Sequence, residues 1–250
     1  METTDGIDRH ADRATAGVAG SAGLGAGEVR MRWRSAAAIG GLIVMMTGPN
    51  TAVVGQEVTR LPRPREQGTM SLEETLAHRR SERAFTSSGI TPAELGQLCW
   101  AAQGVTAAGG LRTAPSAGAL YPLELYAVSA DGVLHYRPGP HETVLHRAGD
   151  LRNALRQAAL GQDALAAAPV VFVLAAVYER TAAKYGEGRA RRYAQLEAGH
   201  AAQNLLLQAV ALGLGAVPIG AFDDRRVQAV LGLPADQEPL YLIPVGRVRE

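Results

Sequence analysis

The alternation of apolar and polar positions predicts ordered elements from Ser71 onward. Ser71-Leu-Glu-Glu74 has the residues of a capping box, and Thr91-Pro-Ala-Glu94 has an N-cap with proline in the first turn. These signatures predict helices over about 71–80 and 91–103. Further along the chain, the pattern predicts paired strands over 123–128 and 132–136, a helix over 150–160, a buried strand over 169–177, a long buried helix over 189–212, and short strands over 215–220 and 240–245.

The order of these elements predicts the fold class. Strand runs separated by helices are typical of an α+β sandwich, in which helices cover a sheet. The segment from 71 to 250 is long enough to bury a full core as one domain. The sequence therefore predicts a single α+β domain over 71–250.

The first 70 residues lack the apolar periodicity that predicts a folded domain. Residues 1–30 lack apolar periodicity and are expected to be a disordered extension. Residues 31–55 begin with Met31-Arg-Trp-Arg34 and continue into an apolar run, the layout of a secretory signal peptide. The alternative is an accidental apolar patch in a disordered tail. The protein is therefore expected to be exported or periplasmic in the first case and cytoplasmic in the second. Residues 56–70 are expected to be a proline-stiffened linker.

Composition excludes several classes of function. The formal net charge is +1, which lacks the basic excess of a nucleic-acid-binding protein. Cys99 is the only cysteine, so neither a disulfide scaffold nor a cysteine zinc site can form within one chain. No histidine spacing indicates a metal. The apolar run after Met31 is too short for a stable membrane span.

One basic residue stands out from the others. Lys184 is the only lysine among the 25 basic residues, so the chain uses arginine at every other basic position. A lysine can lose its proton when buried, whereas arginine cannot. Lys184 is therefore a candidate for proton transfer. The alternative is a lysine that persists by chance on a solvated helix.

Three short stretches are candidates for ligand binding. Arg79-Arg-Ser-Glu-Arg83 offers three guanidinium groups and a hydroxyl to a phosphate, or simply places cations at a helix C-terminus. Arg112–Pro122 and Gly213–Phe222 are rich in small residues, so their backbones can approach a flat ligand; the alternative for the first is a structural turn. On the long helix, Glu197, His200, Gln203 and Asn204 are expected to form a buried hydrogen-bond network rather than a metal site.

Together these motifs resemble the nitroreductase superfamily. The residues that carry the resemblance are Ser71-Leu-Glu-Glu, Arg79-Arg-Ser-x-Arg-x-Phe85, the Arg112–Pro122 stretch, Lys184-Tyr-Gly with Arg192–Asn204, and Gly215-Ala-Val-Pro-Ile-Gly-Ala-Phe. The Arg112–Pro122 and Lys184-Tyr185 stretches are similar to its SagB-type, azoline-dehydrogenase-like branch. The resemblance implies a three-layer sandwich with a mixed central sheet and an intertwined homodimer that binds FMN at its interface.

The resemblance also implies roles for individual residues. The FMN phosphate and ribityl chain would be held by Arg79, Arg80, Ser81, Arg83 and Arg247. The partner subunit would contribute Pro115, Ser116, Ala117 and Gly118. The isoalloxazine would lie against Pro218, Ile219, Gly220 and Ala221, with Gln162 as a further polar contact. Lys184 and Tyr185 would be the catalytic pair.

Three functions follow as hypotheses. The first is an FMN-dependent dehydrogenase that oxidises a small heterocycle or peptide-like substrate by hydride transfer to flavin N5, with a base to remove a proton. The second is an NAD(P)H-dependent nitro- or quinone reductase, which takes its protons from solvent. The third is a flavin- or partner-binding protein without turnover.

Overall fold

The computed structural model describes residues 57–249. The helices and strands, in chain order, are β1 (Val58–Arg60), α1 (Leu72–His78), α2 (Pro92–Gln103), β2 (Val105–Ala107), β3 (Leu111–Arg112), β4 (Leu123–Val128), β5 (Gly132–Arg137), β6 (Glu142–Ala148), α3 (Arg152–Ala158), α4 (Ala164–Ala167), β7 (Val170–Val177), α5 (Tyr178–Tyr185), α6 (Glu187–Ala211), β8 (Gly215–Ala216), α7 (Asp224–Leu231) and β9 (Gln237–Gly246). The expected extension (1–30) and signal peptide (31–55) lie outside the described residues.

The central sheet has seven strands in the order β1-β6-β5-β4-β7-β9-β8. Its strand pairs are antiparallel, including the long pairings of β7 with β4 and with β9. The parallel component is a bridge at the β8 edge between Ser81 and Ala216. Residues from the segment after α1 thus extend the sheet beyond its last strand.

Both faces of the sheet are covered. Alternate residues of β7 point to opposite faces, because side chains in a strand alternate. Phe172 and Leu174 pack in a cluster with residues of α2 and α6, whereas Val171 and Val173 pack in a second cluster with residues of α3, α4 and α7. The arrangement confirms the predicted α+β sandwich of three layers.

The capping box predicted at Ser71 and the N-cap predicted at Thr91 are both present and start their helices. Ser71 Oγ accepts the Glu74 N–H while the Glu74 carboxylate accepts the Ser71 N–H, and Thr91 and Glu94 repeat the arrangement. The predicted helix at Asp150 begins slightly later, at Arg152. Asp150 accepts the Arg152 N–H at 3.1 Å and pairs with its guanidinium at 2.6 Å, so it still anchors this helix start.

Part of the segment 56–70, expected to be a linker, packs against the domain. Within residues 57–65, β1 pairs with β6 and Leu61 is buried at 8% exposure. The Arg65 N–H donates to Gln97 Oε1 at 2.7 Å, and Gln97 Nε2 donates back to the Arg65 carbonyl at 3.0 Å. Ordered structure therefore precedes Ser71. The prolines that indicated a linker stiffen an arm that lies along α2.

Within residues 57–249, no helix is both long enough and apolar enough to cross a membrane.

Candidate functional site

The predicted phosphate-binding arginines lie at one edge of the sheet. After α1 ends, the Glu82 N–H donates to the Ala216 carbonyl of β8 at 3.0 Å. Four residues later, the Thr86 N–H donates to the Arg247 carbonyl at 2.9 Å. The structure therefore brings Arg247 next to the Arg79–Arg83 segment, although they are far apart in sequence. We call Arg79, Arg80, Ser81, Arg83 and Arg247 the arginine site.

The arginines of this site have different surroundings. Arg80 Nη1 donates to the carbonyls of Ala77 at 2.9 Å and Arg79 at 2.8 Å, so this side chain satisfies the C-terminal end of α1. Arg83 Nη1 makes a long bond of 3.3 Å to the Ser81 carbonyl. No partner within residues 57–249 holds the guanidinium of Arg79. Arg79 and Arg83 therefore have the most donors available to an anion.

Arg247 is fixed by a helix cap. Its Nη2 donates to Glu94 Oε1 at 3.0 Å, while Glu94 Oε2 accepts the Thr91 N–H at 2.6 Å. Burial raises the pKa of Glu94, but the hydrogen bonds from Thr91 and Arg247 outweigh burial and lower it overall. An ionised Glu94 therefore orients Arg247 at the sheet edge, and the remaining N–H groups of the guanidinium are left for a ligand.

The predicted flavin segment, Pro218–Ala221, runs beside β9. Ile219 exchanges two backbone hydrogen bonds with Leu242, at 2.8 and 3.0 Å. Gln162 Nε2 donates to the Ala221 carbonyl at 2.8 Å, so the structure brings Gln162 to this segment. Leu160 lies two residues before Gln162, in the turn between α3 and α4. It has φ 57 and is 75% exposed. This left-handed backbone is strained for a non-glycine residue.

The Pro115–Gly118 segment, here named the serine loop, is followed directly by strained backbone and is closed by a hydrogen bond. Gly118, Ala119 and Tyr121 all have φ between 48 and 64, the left-handed region that non-glycine residues seldom adopt. The Tyr121 N–H donates to Ser116 Oγ at 2.9 Å, which closes the turn. Arg112 stacks its guanidinium over the Tyr121 ring at 4.4 Å.

The side chains of Lys184 and Tyr185 pack against Gly118 of this loop. A Cβ atom at Gly118 would lie 2.9 Å from Tyr185 Oη and 3.1 Å from Lys184 Nζ, so glycine makes room for both groups. The two residues are the last of α5, which ends at Gly186 with φ 78. Adjacent helical residues diverge by about 100°, so a helix end is where both side chains can reach one place. Lys184 is exposed in the single chain.

The Nitroreductase family model matches residues 76–247. This range contains every site residue described above. The chain belongs to the Nitroreductase family. A protein of Methanocaldococcus jannaschii described as a nitroreductase is 44% identical over 184 residues, covering 71% of this chain and 91% of that protein.

Two further relatives of this nitroreductase-family chain are informative. A solved structure described as a nitroreductase from Ralstonia eutropha has a TM-score of 0.71 and 33% identity, covering 77% of this chain and 90% of that chain. A Thermus thermophilus protein named NADH dehydrogenase is 35% identical over 134 residues, covering 43% of this chain and 65% of that protein. The family assignment therefore makes the protein an oxidoreductase.

Within one nitroreductase-family chain, the arginine site and the Lys184-Tyr185 pair lie toward opposite ends of β9, and Pro218–Ala221 runs beside the stretch between them. Gly215 of β8 pairs with Gly246, next to the arginine site. At the other end, Gln237 pairs with Val177, which immediately precedes α5 and the Lys184-Tyr185 pair. With a rise of about 3.3 Å per residue, about 30 Å of strand separates Gln237 from Gly246. Lys184 and Tyr185 therefore lie far from the arginine site of the same chain.

The hydrogen-bond network predicted on α6 is buried only in part. Glu197 of α6 is only 3% exposed, and its Oε1 has no hydrogen-bond partner among the described residues. His200 and Gln203, expected to share a buried network with it, are exposed. Asn204 instead donates to the Thr113 carbonyl at 3.3 Å. The helical spacing of the four residues was visible in the sequence, but the segment packed against each one was not.

Proposed function

We propose that the protein is an FMN-dependent homodimeric dehydrogenase of the SagB-type branch, acting on a small heterocycle or peptide-derived substrate. The observation that carries the proposal is the contact of the Lys184 and Tyr185 side chains with Gly118 of the serine loop. A simple nitroreductase needs no such pair, because solvent can supply its protons.

The residues present fit FMN. Its phosphate requires donors in a fixed geometry, and Arg79, Arg83 and Arg247 have guanidinium N–H groups available at one sheet edge. Its flat ring requires a surface without bulky side chains. Pro218–Ala221 provides one, and the space around Gly220 is open, with Tyr241 the nearest neighbour at 4.0 Å from an added Cβ.

The separation of the arginine site from the Lys184-Tyr185 pair within one chain supports the homodimer. About 30 Å of β9 lies between the arginine site and the Lys184 end. A site that combines both therefore requires the serine loop, Lys184 and Tyr185 of a second copy, consistent with the exposure of Lys184 in the single chain.

In this mechanism, the protein moves a proton while the substrate loses two electrons. FMN, when bound, supplies the acceptor for the hydride that leaves the substrate carbon. Lys184 Nζ, as the neutral amine, accepts the proton from the acidic carbon next to the substrate carbonyl. Tyr185 Oη, beside it on Gly118, orients this group or relays the proton. The substrate is left with a new double bond.

Two substitutions test the proposed function. In Lys184→Arg the new guanidinium stays protonated at any working pH and cannot accept a proton, so azoline oxidation should fall roughly 10²–10⁴-fold while FMN content stays unchanged. Tyr185→Phe removes only the hydroxyl and should also lower turnover. Arg189→Lys, on the exposed first turns of α6, is the matched control and should have no effect. Full activity in Lys184→Arg would refute the proposal.

A second candidate is an NAD(P)H-dependent nitro- or quinone reductase. It is favoured by the names of two relatives, nitroreductase and NADH dehydrogenase. Rapid anaerobic mixing with NADH or NADPH separates the two candidates. Immediate flavin bleaching without an azoline would favour the reductase, whereas slow bleaching with rapid azoline oxidation would favour the dehydrogenase.

A further inference from the structure

Tyr121 follows the serine loop, and each of its three polar groups has a partner. Its N–H donates to Ser116 Oγ at 2.9 Å, and its hydroxyl accepts the Arg112 N–H at 3.2 Å. Its carbonyl accepts Arg180 Nη1 at 3.0 Å. These bonds hold a residue whose φ of 48 lies in the left-handed region that a tyrosine seldom adopts. The exit of the serine loop is therefore fixed by bonds from three segments of the chain.

Arg180 connects this loop exit to the helix that carries the Lys184-Tyr185 pair. It lies in the first turn of α5, and Lys184 is four residues later, on the same helix face. At the same end of α5, the Val177 N–H donates to the Pro122 carbonyl at 2.8 Å. At the other end, the Lys184-Tyr185 pair packs against Gly118. The helix therefore contacts the segment from Gly118 to Pro122 at both of its ends.

Glu124 of β4 fixes the Arg180 guanidinium. Arg180 Nη2 donates to Glu124 Oε1, and Glu124 Oε2 pairs with His135 Nε2 at 2.6 Å. Burial raises the pKa of Glu124, but the hydrogen bonds from His135 and Arg180 outweigh burial and lower it overall. An ionised Glu124 thus holds one nitrogen of the guanidinium. The other reaches the Tyr121 carbonyl, because the planar fork of arginine directs its N–H groups to two partners at once.

Stability alone is a weak reason for this arrangement. The Arg180 side chain is 41% exposed, and exposed ion pairs stabilise a fold by about 1 kcal/mol or less. An ion pair also needs no bond to a loop carbonyl. The consequence of the bond to Tyr121 is geometric, because it sets the position of the loop exit relative to α5.

We propose that Arg180 is a positioning residue, which holds the exit of the serine loop to α5 and thereby keeps Gly118 against the Lys184-Tyr185 pair. The inference rests on the proposed function in one respect, namely that Lys184 and Tyr185 act on the substrate. Arg180 touches neither the substrate nor the flavin in this role, and its effect on the reaction passes through the loop.

Lys184 offers a direct readout, because it is the only lysine in the chain. Lysine labelled with ¹³C at Cε therefore gives a single side-chain NMR signal, which reports the surroundings of Lys184 with or without turnover. Lys184 Nζ lies 5.4 Å from the centroid of the Tyr185 ring, so ring currents shift this signal away from that of a free lysine. In full-length Arg180→Gln, we expect the signal to move toward the free-lysine position as the contact with Gly118 loosens.

Turnover of a thiazoline-4-carboxamide gives the second readout. Arg180→Gln should lower kcat about tenfold, because a small misplacement of reacting groups is costly, and should change KM less than about twofold. Gly118→Ala already disturbs the contact that Arg180 maintains. In that background, Arg180→Gln should therefore lower kcat by less than about a further twofold. Equal kcat losses in both backgrounds, or an unmoved Lys184 signal, would overturn the proposal.

A matched control separates positioning from a general loosening of α5. Arg191 of α6 pairs with Glu238 at 2.9 Å and stacks on the ring of Tyr178, the first residue of α5. Arg191→Gln thus removes a similar ion pair beside the same helix end and should leave the Lys184 signal and kcat unchanged. An equal shift of the signal in Arg191→Gln and Arg180→Gln would refute a specific role for Arg180.

A second variant covers the carboxylate that Arg180→Gln leaves without its arginine. The double variant Arg180→Gln/Glu124→Gln removes both charges, so no uncompensated carboxylate remains. It should show the same displaced Lys184 signal and the same fall in kcat as Arg180→Gln. If only the single variant showed them, the uncompensated carboxylate would be their cause and the proposal would fail.

The two readouts also separate this inference from the proposed function. If the wild type does not oxidise the thiazoline, the proposed function fails, but the Lys184 signal still tests whether Arg180 holds the loop. A shift toward free lysine in Arg180→Gln then supports the hold, and an unchanged signal refutes it. If the wild type is active and Arg180→Gln has the same kcat, the inference fails and the proposed function stands.

Discussion

The hydroxyl of Tyr185 lies 2.9 Å from the position that a Cβ atom of Gly118 would occupy. Lys184 and Tyr185, the proposed catalytic pair, therefore pack directly against the serine loop of the same chain. Gly118 also has φ 64, so a side chain there would meet both steric contact and backbone strain.

Gly118→Ala should displace Tyr185 Oη and Lys184 Nζ. We expect a large loss of turnover together with a loss of stability of about 1 kcal/mol from the left-handed backbone. Gly109→Ala is the matched control, because Gly109 has φ 82 but open space around it. It should show the stability loss alone in thermal unfolding. Equal turnover losses in both variants would contradict a specific role for the Gly118 contact.

Arg79→Glu should release FMN. The guanidinium of Arg79 is held by no partner among residues 57–249, and reversing its charge places a carboxylate against a phosphate. We expect FMN affinity to fall roughly a hundredfold or more, with little change in the thermal midpoint. Wild-type affinity in this variant would remove Arg79 from the phosphate site.

Arg80→Glu should have a different effect. Arg80 donates to two carbonyls at the C-terminus of α1, the negative end of the helix dipole. A carboxylate there should lower stability by about 1 kcal/mol and weaken FMN binding less than Arg79→Glu does. Flavin titration and thermal unfolding of the two variants side by side measure the contrast. The reverse order of FMN loss would show that Arg80 turns toward the phosphate.

The pH dependence of stability reports on Glu197. Burial raises the pKa of Glu197 from 4.5 to about 7, against the opposing effects of Ser116 and Arg112. A raised folded-state pKa gives stability that is present below pH 4.5 and lost as pH rises through about 7. Glu197→Gln cannot ionise, so it should gain stability relative to wild type between about pH 4.5 and 8, by up to roughly 3 kcal/mol.

Glu94 provides a comparison, because its pKa shift has the opposite direction to that of Glu197. Its folded-state pKa is lowered, so its contribution is present at neutral pH and lost as pH falls. Glu94→Gln should therefore destabilise the protein more at about pH 8 than at about pH 4. Thermal unfolding of both variants and the wild type across this range measures the difference. A pH-independent offset for Glu197→Gln would contradict a raised pKa at Glu197.

The elements that sequence could predict are those determined by neighbouring residues. The capping boxes at Ser71 and Thr91 each use residues three apart, and both helices begin where expected. The apolar run of β7 needs no partner to be recognised as buried. In contrast, β1 is a strand only because β6 pairs with it, and its own residues are exposed.

The candidate site was predictable as separate motifs rather than as an arrangement. Arg79–Arg83 is a cluster in the sequence, yet Arg80 turns back to its helix while Arg247 joins from the C-terminal end of the chain. Lys184 was predicted as a functional residue because it is the only lysine, but its contact with Gly118 arises only when the chain folds. Glu197 was grouped with its helical neighbours because sequence spacing does not reveal which segment packs against each residue.

The central claim is that each active site combines the arginine site of one chain with Lys184 of its partner, and mixed dimers test it directly. Arg79→Glu and Lys184→Arg chains are each expected to be inactive as homodimers. Coexpressed, they form heterodimers in which one site has both an intact arginine site and an intact Lys184. We predict recovery of about a quarter of wild-type azoline oxidation, because half the dimers are mixed and half their sites are intact. Heterodimers that form but remain inactive would contradict the shared site.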